Sequence, residues 1–173
     1  MFDKSSEVID AYMDSARALD AQYGRTPDRG RIGSNPHDVR LLDVRHGGDF
    51  QQGRGQTGGT LRVCVTAQID RERAHLVDVG VNIIRNDGTR CFGVTTSMDA
   101  ARLYPLGGDR YGIGFVVDEL SLLSGIYSLD VSLSSSQDGQ VYDRWTDVAP
   151  FKVWHDRKRE DGLARLEHYW ERP

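Results

Sequence analysis

The chain has 173 residues, with 22 Lys and Arg against 26 Asp and Glu, a formal net charge of −4 and 19 glycines. That length suits one domain with appendages and can bury a core without disulfides. Its basic residues are scattered, which argues against a nucleic-acid footprint, and no apolar run approaches the length of a membrane span or forms a signal peptide.

Residues 5–21 read as a helix. Ser5 or Ser6 can cap it, Glu7 falls in the first turn, and Val8, Tyr12, Ala16 and Leu19 line one face. The stripe is narrow, as in a helix that docks on something larger. Residues 24–38 form a linker, with Pro27, Gly30, Gly33 and Pro36 among charges and no periodicity.

From residue 39 onward the pattern is all β. A short strand over 39–44 leads into a Gly- and Gln-rich loop over 46–59. Residues 60–70 give the clearest strand: Leu61, Val63, Val65, Ala67 and Ile69 alternate with Arg62, Cys64, Thr66 and Gln68. Period two with one apolar face puts one side on a core and the other toward water or a ligand. Strands follow over 76–85 and 90–96, joined by Asp87-Gly88, a strong hairpin signal. Further strands are predicted over 110–117 and 125–134, with a crossing segment at 120–124 between them. After a turn at 134–139 come strands over 141–145 and 149–154, a charged connector over 155–161 and a last strand over 162–170. About nine short strands separated by turns predict an all-β fold. The expected form is a two-sheet antiparallel β-sandwich, immunoglobulin-like or jelly-roll-like, with an N-terminal helix.

Catalytic and cofactor patterns are weak. Gly53, Gly55 and Gly58 match a dinucleotide-loop spacing, but the loop precedes a strand rather than opening a helix. Gly48 to Gly53 has P-loop spacing, yet Arg54 stands where Lys is needed. His37, His46, His75, His155 and His168 show no metal-ligand spacing with one another or with Cys64 and Cys91, which are expected as free, half-buried thiols. Asp118-Glu119 sits at a strand end, where adjacent side chains point opposite ways. No nucleophile elbow is present. No enzyme activity, cofactor or metal is expected.

Several segments resemble one family. The run from Asn82 through Asp87-Gly88 and the Phe92-Gly93 step to Thr96 is similar to a hairpin of the Wzt C-terminal domain. Leu122, Leu123, Gly125 and Tyr127 resemble its step into the next strand. Tyr142-Asp143 followed by Phe151-Lys152-Val153 resembles its closing strands, and residues 162–170 its terminal strand. Residues 6–12 resemble the end of the nucleotide-binding domain that precedes this one. The resemblance runs from residue 39 onward, but the 46–59 loop does not align.

This resemblance implies that residues 1–23 end a nucleotide-binding domain, 24–38 link it, and 39–173 form a glycan-binding β-sandwich. The implied role is non-catalytic recognition of a lipid-linked O-antigen polysaccharide, at its terminal export-signal end, for an ABC exporter. It also implies a homodimer, with exchange of the last strand as one form. The other partners would be the nucleotide-binding domain and the membrane subunit, at the cytoplasmic face of the inner membrane. A dimerisation or positioning module without glycan contact is the alternative. An enzyme would need a carboxylate pair across a groove, and no such pair is evident.

A sugar site combines aromatic faces with planar polar side chains on an open sheet face. Arg62, Thr66, Gln68, Asn82, Arg90, Ser128 and Asp130 face away from the predicted core. Tyr142, Asp143, Arg144 and Trp145 gather near a strand end. The candidate carbohydrate-binding residues are therefore Gln68, Asn82, Arg90, Tyr142, Asp143, Arg144 and Trp145, with an ordinary solvated face as the competing account. Trp154 and Trp170 are expected to pack against a partner strand or a dimer mate.

Overall fold

A computed structural model describes residues 38–155 and 162–166, together with 170 and 172. The helix and most of the linker expected before residue 38 lie outside these residues. The chain forms β1 (Arg40–Gly48), β2 (Arg54–Gln56), β3 (Leu61–Gln68), β4 (Val77–Arg85), β5 (Arg90–Thr95), β6 (Tyr104–Gly107), β7 (Arg110–Val117), β8 (Gly125–Ser135) and β9 (Val141–Trp154). They make two sheets, a four-stranded one ordered β1-β3-β7-β6 and a five-stranded one ordered β2-β9-β8-β4-β5. All described pairs are antiparallel except β2 with β9.

The core follows from the alternation. Leu61, Val63, Val65, Ala67 and Ile69 are buried against Val79, Val81, Ile83, Leu129, Val131 and Leu133 of the facing sheet. Phe151 sits at one end of this layer, edge-on to Phe50 at 5.4 Å and stacked on Tyr127 at 5.7 Å. Both geometries suit the quadrupoles of the rings.

One side of the sandwich is stitched by β1 and β9. Asp143 on β9 accepts the Leu41 N–H in 2.8 Å, beside the β1 bulge between Leu41 and Asp43. His46 Nε2 lies 3.3 Å from the Pro150 carbonyl. At the Asp87-Gly88 turn, Gly88 adopts φ +87, and Arg85 N–H reaches Thr89 O in 2.8 Å.

Four expectations change. The 46–59 loop is structured: β1 runs through Gly48, a single 3-10 turn spans Gln51–Gly53, and β2 then pairs with β9. The fully buried Phe50 anchors it, and Gly55 leaves room for that ring. Residues 141–154 form one long strand, not two, because bulges absorb the break in periodicity. Residues 162–166 make only an isolated bridge, Ala164 with Leu122, rather than the start of a strand. Cys64 is exposed because it alternates with the buried Val63 and Val65, whereas Cys91 is half-buried. An additional edge strand, β6, escaped notice because it is exposed throughout and contains Pro105, so no apolar alternation marks it.

Candidate functional site

Among the described residues, the side of the sandwich away from β1 and β9 is open. There β5 is the last strand of its sheet, and β6 pairs only with the Arg110 to Gly112 part of β7. The rest of β7 faces β5 across a gap, and backbone polar groups of both edges border it. Within the gap lies a cavity of about 250 Å³, floored by Val65, Val79 and Val81 and walled by Val94, Ile113 and Phe115. Phe92 stacks on Phe115 at 5.8 Å across the two sheets, and 43% of its surface stays exposed.

The turn after β5 closes this trough. Thr96 Oγ1 accepts the Val79 N–H in 3.0 Å and donates to Asp78 Oδ1 in 3.0 Å. Ser97 Oγ donates to the other Asp78 oxygen. Thr96 N–H also reaches Val79 O in 2.9 Å, and Ala101 N–H reaches Thr96 O in 2.9 Å. Asp78 therefore holds the turn from beneath. Beyond it is a second cavity of about 630 Å³, lined by Arg71, His75, Asp78, Ser97, Arg102 and Ser136 among others. Ala101 lines both cavities. The result is a groove with an aromatic and aliphatic stretch that adjoins a polar, cationic pocket. Apolar walls with a few convergent polar groups are the usual composition of a ligand site.

The residues singled out from sequence do not converge on this groove. Gln68 lies on the outer face of the four-stranded sheet, where its Oε1 accepts Arg40 Nη2 in 2.9 Å and its Nε2 donates to Asp38 in 3.1 Å. Asn82, Arg90 and Arg144 belong to the other sheet; the half-buried Asn82 and Arg144 alternate with buried Val81, Ile83, Asp143 and Trp145, on the opposite side of the molecule. Tyr142, Asp143 and Trp145 are buried instead of presented at a strand end. The reason is a bulge: Ser134 pairs with Val141 and Leu133 with Asp143, so Tyr142 is the extra residue and simple alternation fails. Ser128, expected on an open face, is also buried.

Sequence reasoning passed over the groove residues. Phe92 was visible as part of an aromatic-Gly step, but its contact with Phe115 joins two sheets across 23 positions and leaves no local signal. Arg71, His75 and Arg102 come from two separate connections.

The family model described as the Wzt C-terminal domain matches residues 36–166. The chain belongs to the Wzt C-terminal domain family. The crystal structure of the C-terminal domain of Wzt superposes with a TM-score of 0.64 at 20% identity, covering 86% of this chain and 91% of that one. The two share a fold, and the family match itself spans every strand of both sheets. A Bacteroides uniformis β-glucuronidase matches with a TM-score of 0.45 at 12% identity, over 62% of this chain and 14% of the enzyme. No curated protein matches the chain in sequence. Within the family, the hairpin and the step into β8 that carried the resemblance form the β4–β5 hairpin and the entry to β8. Both lie in the five-stranded sheet.

Proposed function

We propose that this member of the Wzt C-terminal domain family recognises a lipid-linked O-antigen polysaccharide for an ABC exporter, without catalysis, and that the glycan lies in the open-side groove. The observation that carries the proposal is the groove itself. It combines an exposed aromatic face at Phe92, apolar walls, two strand edges and a polar pocket in one continuous feature. Aromatic faces stack on sugar C–H surfaces, and backbone and hydroxyl groups pair with sugar hydroxyls. Family membership supports the transporter setting. The nucleotide-binding domain and membrane subunit would be its neighbours at the cytoplasmic face of the inner membrane, and a homodimer fits the same setting. Among the described residues, no helix is long and apolar enough to cross a membrane.

Calorimetric titration with the lipid-free O-polysaccharide of the source organism tests this reading. Saturable binding is expected, and Phe92→Ala should weaken it about ten-fold, the equivalent of losing roughly 1.4 kcal/mol of stacking. No binding at millimolar glycan would leave a dimerisation or positioning module as the better account.

A further inference from the structure

We propose that the larger cavity is a subsite for an anionic group, a carboxylate or a phosphate, carried on the glycan; this rests on the groove reading above. The chain is acidic overall, with 26 Asp and Glu against 22 Lys and Arg, so an average surface pocket should be acidic too. This pocket is the reverse. Arg71, His75 and Arg102 line it, and Asp78 is the one carboxylate among its described lining residues. Both Asp78 oxygens are already occupied by the hydroxyls of Thr96 and Ser97.

Among the described residues the two arginines are uncommitted. Elsewhere Arg40, Arg45 and Arg85 pair with Asp38, Asp43 and Asp87, each two positions away. Among the described residues, Arg71 and Arg102 form no ion pair. Nearby acids could have quenched Arg71, yet Asp70 Oδ1 instead accepts the Glu72 N–H of its own turn in 3.0 Å. Asp99, close to Arg102 in sequence, lines the smaller cavity. Arg71 follows β3 and Arg102 follows β5, so the fold, not local sequence, brings the cations to one cavity. Ser136 adds a hydroxyl beside them. Guanidinium groups form paired, charge-assisted hydrogen bonds with carboxylate and phosphate oxygens, which a neutral sugar cannot match. The cavity, at about 630 Å³, falls in the size range of small-molecule sites.

The test is an amide-shift titration of the full chain with sodium glucuronate, glucose 6-phosphate, glucose and inorganic phosphate. The O-polysaccharide of the source organism is run in parallel. Expected are shifts at residues 71–78 and 97–103 with glucuronate or glucose 6-phosphate, none with glucose at equal concentration, and weakening as salt rises. Arg71→Gln and Arg102→Gln together should weaken the charged probe at least ten-fold while leaving the melting temperature unchanged, because both side chains are exposed. Glucuronate against glucose 6-phosphate assigns the group as carboxylate or phosphate. Equal response to glucose, or no loss in the double variant, overturns the proposal. Inorganic phosphate binding as tightly as the sugar phosphate overturns the glycan-borne form and assigns a free-anion site. If the O-polysaccharide shifts residues 92–96 and 113–116 but no charged probe reaches the pocket, the anion subsite fails and the groove reading stands. If the O-polysaccharide shifts nothing, both fall.

Discussion

Asp143 has its carboxylate almost wholly inside the sandwich, where Oδ2 accepts the Leu41 N–H from the opposite sheet. Removing it leaves a buried donor without its partner, and a lost charge-assisted hydrogen bond costs about 1.5–3 kcal/mol. Asp143→Ala should therefore lower stability by about 2 kcal/mol in denaturant unfolding, with little effect on ligand binding. Tyr127 makes a second buried link, donating to the Leu123 carbonyl in 2.7 Å. Burial pushes its phenol up from 10.0 to about 12. The folded state thus keeps the proton where the unfolded chain releases it. Stability from this group is complete below pH 10 and declines as pH rises toward about 12. The drop in melting temperature across that window should be larger in the wild type than in Tyr127→Phe. These residues show what sequence reading could and could not see. Polar type and strand position marked Asp143 and Tyr142 as surface candidates, but the bulge that buries them is a pairing event with β8. No pattern within β9 announces it.

At the scale of elements, strands with clean alternation were legible. β3, β4, β7 and β8 alternate strongly, and the Asp87-Gly88 signal located the β4–β5 hairpin. Elements held by a single anchor were not. β2 follows a Gly-rich run and rests on Phe50, whose ring lies 2.5 Å from where a Gly55 Cβ would stand. Gly55→Ala should cost about 1–3 kcal/mol by overpacking, read as a lower midpoint in thermal or denaturant unfolding. β9 was divided in two because its register slips twice opposite β8 between Tyr127 and Val131, with Asp147 at φ +54 and Ala149 at φ +46. Asp130 Oδ1 accepts the Asp147 N–H in 3.0 Å and steadies the first of these bulges. A β-branched side chain tolerates such a backbone poorly. Ala149→Val should lose about 1–3 kcal/mol. Ala149→Gly should stay within about 1 kcal/mol of the wild type, because relief of strain offsets the added freedom of the unfolded chain.

The described residues form a sandwich stitched on one side and open on the other. The all-β class and the resemblance to the Wzt C-terminal domain were readable from residue 39 onward, outside the 46–59 loop, and the family match over residues 36–166 confirms the membership. The groove was not readable, because it is made by what the sheets leave unpaired. Its walls come from β3, β4, β5 and β7, and its polar end from the connections after β3 and β5. A surface site on either outer sheet face, as first expected, and a site in the open-side groove make different maps on the molecule. The most direct measurement is therefore amide-shift mapping of the domain during titration with the O-polysaccharide of its source organism. The groove account predicts saturable shifts concentrated at residues 92–101 and 113–116, with a midpoint about ten-fold higher in Phe92→Ala. Shifts confined to the outer faces around Gln68 or Asn82, with the groove silent, would contradict it.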